Sequence, residues 1–407
     1  MTERPRPAPQ RESARERARA RLRRPAVARR KPAGPDTGWL LISAVVAMLC
    51  VMGLMMVLSA SSVEALRTYG GAWVFFQRQL VWIFVGGAAL IGVAAVDYRH
   101  WRRLVIPLVA GSFGLLVLVL VPGVGVTAGG STRWLGVGWL RIQPSEIAKL
   151  AVLLFGADLL SRRAAQVHDW RLVLRPMALT TGLLAGLVLM QPDMGTAMLM
   201  VLIVLILLFV GGVPLSTMGT IGTMTALGAL ASARFEGYRW TRVLSFRDPF
   251  GDASNTGYQL SQSLVALGTG HVGGLGLGAS RAKWGFLPNA HTDFIFAIVG
   301  EELGLIGTVL VVGLFVAFAV LGVRVALRAP DRFGSLLAGG VTAWVCGQAV
   351  VNMGAVIGLL PVTGVPLPFV SFGGSSLVVT MVAVGILINI ARQPAPVRAR
   401  PTRASAG

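Results

Sequence analysis

The chain is 407 residues long, and 54% of its residues are hydrophobic while only 13% are charged. This composition excludes an ordinary soluble enzyme and is typical of a helical protein with several membrane-spanning segments. The net charge is +20, but twelve of the 37 Lys and Arg residues lie before Gly34. The basic excess therefore belongs to a terminal tail, for which we expect membrane lipids or a partner protein and no nucleic acid.

Two basic segments flank the apolar region. Residues 1–36 and 392–407 are rich in Arg, Pro and Ala and hold almost no large apolar side chains, which is typical of disordered segments. We interpret both as cytoplasmic tails. The first apolar run begins at Gly38 and is too long, and its preceding segment too extended, for a cleaved signal peptide, so we expect it to remain as an anchor.

Residues 37–391 form the predicted membrane domain, an all-α arrangement of ten transmembrane helices. Apolar runs that reach or approach the length needed to cross a bilayer lie at residues 38–58, 80–96, 104–121, 147–160, 177–190, 194–210, 218–233, 303–323, 336–360 and 370–390. The fifth run ends at Gln191-Pro192-Asp193 directly before the sixth, which predicts a tight helical hairpin. One long loop, about residues 234–292, separates the seventh and eighth runs, and its aromatic content indicates a structured segment.

The distribution of basic residues predicts the orientation in the membrane. Ten spans place both termini on the same side. If that side is the cytoplasm, the inner segments carry 26 Lys and Arg residues and the outer segments 10, as the positive-inside rule requires. We therefore expect both termini in the cytoplasm and the long loop outside.

Cysteine and histidine usage gives no sign of a disulfide framework or of a metal site. Cys50 and Cys346 both lie in apolar runs, where thiols usually act as small packing residues. None of the four histidines pairs with another at ligand spacing, and neither HExxH nor CxxC is present. The sequence therefore shows no zinc-binding motif of the common types.

Polar residues at the ends of the runs gather on the predicted outer side. They are Arg133, Trp134, Arg141, Gln143, Glu146, Asp193, Arg242, Arg247, Asp248, Lys283, His291, Asp293, Asn352, Ser371, Ser375 and Ser376. Ionisable groups at membrane depth are costly and by default indicate function. The inner side shows only the loop arginines that set orientation, so the sequence predicts a site facing outward.

Asp293 is the leading candidate in this set. We expect it just outside the run 303–323, where a carboxylate is wet but close to lipid, as a reaction on a lipid-anchored, water-soluble group requires. The alternative is that Asp293 only caps a helix, which is worth about 0.5–2 kcal/mol. The residues around Asp293, taken alone, favour the capping role.

Other acidic residues also have two interpretations. Glu146 and Lys149 lie three apart on one helical face, so they either neutralise each other or contact a ligand. Asp193 taken alone is best explained as an N-cap. Glu301 follows Asp293 by eight residues on roughly the same face, and we expect it to be the buried partner of an outer-loop arginine.

Eight motifs follow one another from Arg133 onward. They are RW at 133–134, QPSEIAK at 143–149, QPDMGT at 191–196, FRDP at 246–249, GYQ at 257–259, LPNAHTDFIF at 287–296, GEELG at 300–304, and PVTG at 361–364 continuing to PFVSFGGSS at 368–376. In this order they resemble the SEDS family (shape, elongation, division and sporulation). The basic tails and the AHTD form of the sixth motif resemble the division members more than the elongation members. Asn289 and Phe372 stand where the family usually has Glu and Tyr, so neither side chain can be invoked here.

The resemblance implies a ten-span fold and a peptidoglycan glycosyltransferase. Such an enzyme polymerises lipid II into glycan strands at the outer face of the bacterial cytoplasmic membrane, by inverting transfer from a lipid diphosphate donor. The implied partners are lipid II, the growing glycan chain, a class B penicillin-binding protein that crosslinks the strands, and other division proteins at the septum. The resemblance also implies that Asp293 is the residue essential for catalysis.

The implied chemistry suits the residues present. A carboxylate at Asp293 can take the proton of the attacking sugar hydroxyl, which is typically worth about 10²- to 10⁴-fold in rate. The departing diphosphate develops charge that basic side chains, or a divalent cation such as Mg²⁺ or Mn²⁺, would stabilise. The predicted substrate-binding residues are Arg133, Trp134, Arg141, Gln143, Glu146, Lys149, Asp193, Arg242, Lys283, His291 and Ser371.

Other functions stay open at this point. A lipid II flippase would suit polar residues in helices, but transporters tend to place their sites near the midplane between inverted repeats, and the sequence shows no internal repeat. A non-catalytic scaffold explains the basic tail but not an outer polar cluster. An elongation-type polymerase would share the site and differ in its role in the cell.

Overall fold

The computed structural model of the protein describes residues 37–128, 130–235, 248–251 and 257–393. The predicted amino-terminal tail, nearly all of the predicted carboxy-terminal tail, and the candidate residue Arg242 lie outside these ranges, so the predictions about them stay untested.

Eleven α-helices occur in the described residues and are numbered here in chain order. They are α1 (Gly38–Tyr69), α2 (Val74–Ala95), α3 (Trp101–Leu120), α4 (Pro144–Arg162), α5 (Arg175–Met190), α6 (Met194–Val210), α7 (Leu215–Phe235), α8 (Tyr258–Thr269), α9 (Ile295–Arg328), α10 (Arg332–Val356) and α11 (Gly374–Arg392). Each predicted apolar run coincides with one of these helices, and α8 is additional.

Among the described residues, seven helical segments are long and apolar enough to cross a membrane. They comprise α1, α2, α9, α10 and α11, together with α3 and α5, each lengthened by the short helical turn before it. Helix α6 is apolar but shorter, and α4 carries the charged residues Glu146, Lys149 and Asp158. The predicted class, a multi-pass helical membrane protein, is confirmed, whereas the number of ten crossings stays a prediction.

The predicted hairpin between α5 and α6 is confirmed. Helix α5 ends at Met190 and α6 begins at Met194. Asp193 occupies the N-cap of α6, where its side chain accepts a hydrogen bond from the Thr196 N–H at 3.2 Å. This confirms the capping interpretation of Asp193 and satisfies one backbone N–H of the first turn.

Helix α9 begins at Ile295, eight residues before the predicted apolar run, and it is broken at Gly304, whose φ of 65° and ψ of −158° are not helical. Glycine adopts such a positive φ without steric cost. Backbone groups freed by the break bond to the loop before α9: Leu305 N to His271 O, Ile306 N to Val272 O, Leu275 N to Glu301 O, and Gly276 N to Glu302 O, at 2.9–3.3 Å. Loop backbone, rather than water, therefore satisfies the backbone groups around the break. For this reason the polar segment 300–304 can form part of α9.

Two local elements were not predicted. Helix α8 lies inside the long loop and packs on α9. A small antiparallel sheet connects α3 to α4 in the strand order β1 (Val126–Ala128), β2 (Ser131–Val137) and β3 (Leu140–Ile142). These strands are short and largely exposed, so their sequence carries too little hydrophobic pattern to stand out beside the long apolar runs.

Helix α10 lies near the centre of the bundle and contacts α4, α6, α9 and α11. The segment after α10, residues 357–373, runs across one end of the bundle. Gly53 of α1 allows this segment to pack closely on the helix, because a Cβ at that position would lie within 2.7 Å of the Phe369 and Val370 backbones. The same segment forms one wall of the site described next.

Candidate active site

Asp293 lies immediately outside α9 and is partly buried. The cap position of the helix is Phe294, which makes no side-chain capping bond, so the interpretation of Asp293 as the N-cap residue is wrong. The turn before it depends on Asn289, whose φ is 58° and whose carbonyl accepts the N–H groups of Thr292 and Phe294 at 3.1 and 3.4 Å. Asparagine tolerates this left-handed conformation better than most residues.

Asp293 lines a small cavity with Asn352 of α10 and with Thr363 and Gly364 of the segment after α10. The Asn352 amide Nδ2 donates to the carbonyl oxygens of Asp293 and Val365, at 2.8 Å in each case. Gly364 has a φ of +71°, and a Cβ built on it would lie 3.6 Å from Asp293 Oδ2. Asn352 thus ties together the two chain segments that border the carboxylate.

Gln348 lies one helical turn before Asn352 and extends the polar network into the bundle. Its Nε2 donates to the Pro366 carbonyl at 2.9 Å. Its Oε1 accepts from Lys149 Nζ at 2.9 Å and from Trp344 Nε1 at 3.0 Å. The two amides of α10 therefore hold the second half of the segment 363–366, at Val365 and Pro366.

Lys149 and Glu146 form a buried ion pair, with Lys149 Nζ 3.0 Å from Glu146 Oε2 and side chains only 0% and 3% exposed. The ammonium also lies 5.0 Å from the centre of the Trp344 ring, a cation–π distance. The neutralising interpretation of this pair is confirmed. Contact with substrate stays a prediction for both residues.

Asp193 is the centre of a second polar group. Its Oδ2 accepts from Gln143 Nε2 at 2.9 Å, and its Oδ1 lies 3.9 Å from Arg133 Nη1. Arg133 also donates to the carbonyl oxygens of Gln191, at 3.0 Å, and of Pro192. The Gln143 N–H donates to Ser375 Oγ at 3.3 Å, which joins the start of α4 to the start of α11.

The two polar groups meet at the segment 363–366. On one side, a Cβ on Gly195 of α6 would lie 2.7 Å from the Thr363 carbonyl oxygen, and on the other, Gly364 faces Asp293. Asp293 faces this segment directly, and Lys149 is linked to it through Gln348 and Pro366. Asp193, which pairs with Gln143 and Arg133, lies two residues before Gly195.

His291 and Ser371 hold the chain on either side of the Asp293 turn. His291 Nδ1 lies 3.3 Å from Glu64 Oε2, and its ring packs against Phe75 and Phe372. Ser371 Oγ donates to the Thr292 carbonyl at 2.6 Å, and the Leu367 N–H donates to it at 2.8 Å. These contacts give both residues a positioning role, and substrate contact by either stays a prediction.

Lys283 lies in a separate buried cluster formed by the long loop. Its Nζ is 3.7 Å from Glu302 Oε1 and also donates to the Gly278 carbonyl. Glu302 Oε1 accepts from Ser59 Oγ at 2.6 Å and from the Ser280 N–H at 3.2 Å. This pairing accounts for the charge of Lys283, and its predicted contact with substrate is untested.

Within the described residues, Glu301 forms no ion pair with an arginine side chain; Arg239, Arg242 and Arg247 of the long loop lie outside them, so the predicted pairing with an outer-loop arginine stays untested. Glu301 accepts the backbone N–H groups of Arg281 and Ala282 at 2.9 and 3.3 Å and the Ser280 hydroxyl. Glu301 therefore caps the short turn Ala282–Trp284. Such local backbone partners cannot be inferred from residue types alone.

The two remaining predicted residues lie on the small sheet. Trp134 is on β2, opposite Val126 of β1. Arg141 is on β3, opposite Gly136, and its Nε donates to the Gly138 carbonyl at 2.7 Å. Their predicted role in substrate binding is untested.

Gln348, Thr363 and Glu64 were missing from the predicted site, and Asn352 was placed on the outer side but not among the predicted substrate-binding residues. Gln348 and Asn352 are amides four residues apart in an apolar run, and polar side chains on one face of a membrane helix are a signal that could have found them. Thr363 and Glu64 carry no such signal, because their importance depends on segments that are distant in sequence.

Known proteins match this chain over most of its length. The family model for cell cycle proteins of the FtsW, RodA and SpoVE type matches residues 39–395. A probable peptidoglycan glycosyltransferase FtsW of Geobacter metallireducens is 40% identical over 345 residues, which cover 85% of this chain and 92% of that protein. Stage V sporulation protein E of Bacillus subtilis is 42% identical over 363 residues, covering 89% and 98% of the two chains.

Solved structures share the fold. A chain from a structure described as the coordination of polymerization and crosslinking by a peptidoglycan synthase complex gives a TM-score of 0.70 at 30% identity and covers 88% of this chain and 98% of that one. The crystal structure of the rod shape determining protein RodA of Thermus thermophilus gives 0.65 at 29% identity, with coverage of 89% and 98%. The chain belongs to the FtsW/RodA/SpoVE (SEDS) family of cell cycle proteins.

Proposed function

We propose that the chain is a peptidoglycan glycosyltransferase that polymerises lipid II into glycan strands during cell division, with Asp293 as the general base. Relatives that are about 40% identical over most of the chain carry the name peptidoglycan glycosyltransferase FtsW. The observation that carries the proposal for Asp293 is its position, partly buried at the start of a membrane helix and lining a cavity that also includes the polar residues Asn352 and Thr363. A carboxylate so placed can meet a substrate whose head group is soluble and whose tail is in the bilayer.

The reaction is a single displacement at an anomeric carbon. The acceptor hydroxyl oxygen forms a bond to that carbon, and the bond from the carbon to the diphosphate oxygen breaks with its electron pair leaving on the diphosphate. The hydroxyl proton passes to a carboxylate oxygen of Asp293, which is the part that a general base plays. Attack opposite the leaving group inverts the configuration.

Charge on the leaving diphosphate needs cationic partners. Arg133, whose Nη1 lies 3.9 Å from Asp193 Oδ1, keeps an accessible side chain, 25% exposed, whereas Lys149 is fully buried against Glu146. We therefore assign the first contact with the diphosphate to Arg133. Lys149 has a positioning role: it donates to Gln348 Oε1, and Gln348 Nε2 donates to the Pro366 carbonyl.

A divalent cation such as Mg²⁺ or Mn²⁺ would add to this charge stabilisation. Within the described ranges, no group of three His, Cys, Asp or Glu side chains is close enough together to hold a metal ion. Mg²⁺ is often bound by one or two carboxylates plus substrate phosphates. The residues present fit an ion that arrives with the diphosphate and has Asp293 or Asp193 as its protein ligand.

The proposed partner is a class B penicillin-binding protein that crosslinks the strands. A structure similar to this chain comes from a peptidoglycan synthase complex in which polymerization and crosslinking are coordinated, which supports a partner of that kind. Location at the septum and contact with other division proteins follow from the resemblance to FtsW.

A flippase is the main competing function, and one feature of the fold bears on it. Transporters often bind substrate at discontinuous helices, and α9 is broken at Gly304. Here, however, loop backbone satisfies the groups that the break frees. The backbone groups at the break are therefore not available to bind a transported substrate. The polar groups around Asp293 lie more than two helical turns away along α9.

The test compares Asp293→Asn with the parent protein in vesicles that contain lipid II. Asparagine keeps the size of the side chain but is not a base at neutral pH, so we expect polymerisation to fall about a hundredfold or more. The matched control is Asp331→Asn at the N-cap of α10, where Asn caps as well as Asp, and its rate should stay near that of the parent.

The same vesicles report on the alternative. Polymerisation by Asp293→Asn within a few-fold of the parent would refute the role of Asp293. Translocation of lipid II by the parent without glycan formation would replace the glycosyltransferase with a flippase. Titration of Mg²⁺ or Mn²⁺ against the residual activity of the variant separates a metal-ligand role from a base role.

A further inference from the structure

We propose that Thr363 Oγ1 and Asn352 Oδ1 form, with Asp293, a subsite that binds one saccharide hydroxyl of the substrate. This inference rests on the proposed glycosyl transfer and assigns two further substrate contacts to it. The three residues line one cavity. Both oxygens are buried and have no hydrogen-bond partner among the described residues.

Buried polar atoms without partners are rare in folded proteins, and each one calls for an explanation. Asn352 is only 2% exposed. Its amide cannot be turned to satisfy Oδ1, because Nδ2 already donates to the carbonyls of Asp293 and Val365 at 2.8 Å, and a flip would set Oδ1 against those two acceptors. The orientation of the amide is therefore fixed by its neighbours, and the oxygen of this cavity-lining residue is left as an acceptor without a partner among the described residues.

The Thr363 hydroxyl is held in place by the packing of its backbone. A Cβ on Gly195 would lie 2.7 Å from the Thr363 carbonyl oxygen and 3.1 Å from the Thr363 Cβ, so α6 leaves no room for the segment to move toward it. The next residue, Gly364, has a φ of +71° that favours glycine. Close packing on one side and a turn on the other keep Thr363 beside the cavity.

The size of the cavity decides what it can hold. It leaves about 10 Å³ for the centre of a water-sized group, roughly the space that one ordered water needs. A whole sugar ring does not fit, but one hydroxyl does. The rest of the substrate would lie outside the cavity.

The hydrogen-bonding character of the three groups matches a hydroxyl. Asn352 Oδ1 can only accept, and an ionised Asp293 carboxylate can only accept, whereas the Thr363 hydroxyl can donate as well. A saccharide hydroxyl in the cavity can donate a hydrogen bond to one of the two acceptors and accept a hydrogen bond from the Thr363 hydroxyl. A phosphate oxygen would face two acceptors and one donor, so the subsite disfavours the diphosphate and favours the sugar.

Thr363→Val tests the proposal directly. The substitution replaces the hydroxyl with a methyl group of similar size and removes no hydrogen bond present in the structure, so thermal stability should be unchanged or raised. The KM for lipid II should rise about tenfold, as expected for the loss of one substrate hydrogen bond. Thr363→Ser keeps the hydroxyl and should retain a KM near that of the parent.

Thr181→Val is the matched control. Thr181 lies on α5, does not line this cavity, and also has a buried hydroxyl without a partner. Its substitution should therefore leave both stability and KM unchanged. The contrast between the two Thr→Val variants separates a substrate contact from the general effect of removing a buried hydroxyl.

Each outcome has one meaning. An active Thr363→Val protein with the KM of the parent would overturn the subsite, and the oxygens would then face a structural water only. Loss of thermal stability in Thr363→Val, with KM unchanged in the folded fraction, would overturn it as well. Failure of the proposed function is distinct, because in that case the parent protein itself would form no glycan from lipid II.

Discussion

The two ends of the helix bundle carry similar kinds of charged residue in opposite surroundings. At the end that contains Asp293, Lys149 and Glu146 pair with side chains that are 0% and 3% exposed. At the other end, Arg99 pairs with Asp97 at 3.2 Å and with Asp331 at 3.3 Å, with side chains that are 35–48% exposed. The Lys149–Glu146 pair is therefore enclosed by protein, whereas the pairs of Arg99 are open to solvent. Asp158 at the second end is only 13% exposed, but it pairs with Arg162, whose side chain is 62% exposed.

The physical consequences differ accordingly. An exposed ion pair contributes about 0–1 kcal/mol, because water screens the attraction. A buried pair is expensive to form and still more expensive to break, since removing one partner strands the other charge in a medium of low polarity. The exposed arginines are sufficiently explained by orientation in the membrane. The buried pair needs a further reason, which we find in its support of the segment beside Asp293.

Breaking the buried pair should give the largest change. Lys149→Met leaves the Glu146 carboxylate buried without its cation, so we expect the free energy of unfolding to fall by about 3–5 kcal/mol. The measurement is thermal or denaturant unfolding of the purified protein in detergent. Polymerisation should fall with it, because Gln348 loses the Lys149 bond while it holds Pro366.

The double variant Glu146→Gln with Lys149→Met sharpens this result. Replacing both charges by neutral groups of similar size is often close to neutral for stability, so most of the lost stability should return. A Lys149→Met protein as stable as the parent would contradict the buried ion pair and remove the contrast between the two ends.

The Lys283 cluster is a second buried pair near the membrane surface and should give an intermediate effect. Glu302→Gln removes the charge that faces Lys283 and weakens the bond from Ser59, which should cost about 1–3 kcal/mol. The segment 270–285 should then open more often. Trypsin cleavage after Arg281 or Lys283 reports this opening, and we expect it to accelerate.

A suitable control for that experiment is Ser59→Ala. It removes one neutral donor to Glu302 and leaves the charge pair in place, so cleavage should accelerate less. Equal cleavage in Glu302→Gln and the parent would show that the pair with Lys283 does not hold the loop.

Removing an exposed pair should give the smallest effect. Arg99→Ala should lower the free energy of unfolding by less than about 1 kcal/mol. Burial acts to raise the pKa of Asp97, but the backbone N–H and the guanidinium of Arg99 outweigh it, so the pKa lies below its ordinary value. A carboxyl with a lowered pKa stabilises the fold above its ordinary pKa, about 3.9, and this contribution is lost as the pH falls through the folded-state pKa.

The difference between the parent and Arg99→Ala should therefore be present at neutral pH and shrink below about pH 4. It should also shrink in high salt, because salt screens exposed charges. A loss as large as that of Lys149→Met would mean that the two ends do not differ in the way their exposure indicates.

The sequence by itself determined the class of protein, the positions of its long helices and the family. These follow from local composition, since a run of apolar residues long enough to cross a bilayer forms a helix wherever it lies. The hairpin at Asp193 was equally predictable, because N-cap preference and helix length are local properties. The motif order identified Asp293 as the candidate base before any contact was known.

Only the tertiary structure decided which polar residues meet. Gln348 and Asn352 reach the segment 363–366, and Lys283 turns to Glu302, because helices distant in sequence pack side by side. The break of α9 at Gly304 was not predicted, for the same reason. The backbone groups that the break frees find their partners in a loop that is distant in sequence. Hydrogen-bond satisfaction in an apolar medium is a property of the assembled fold, and no residue carries it alone.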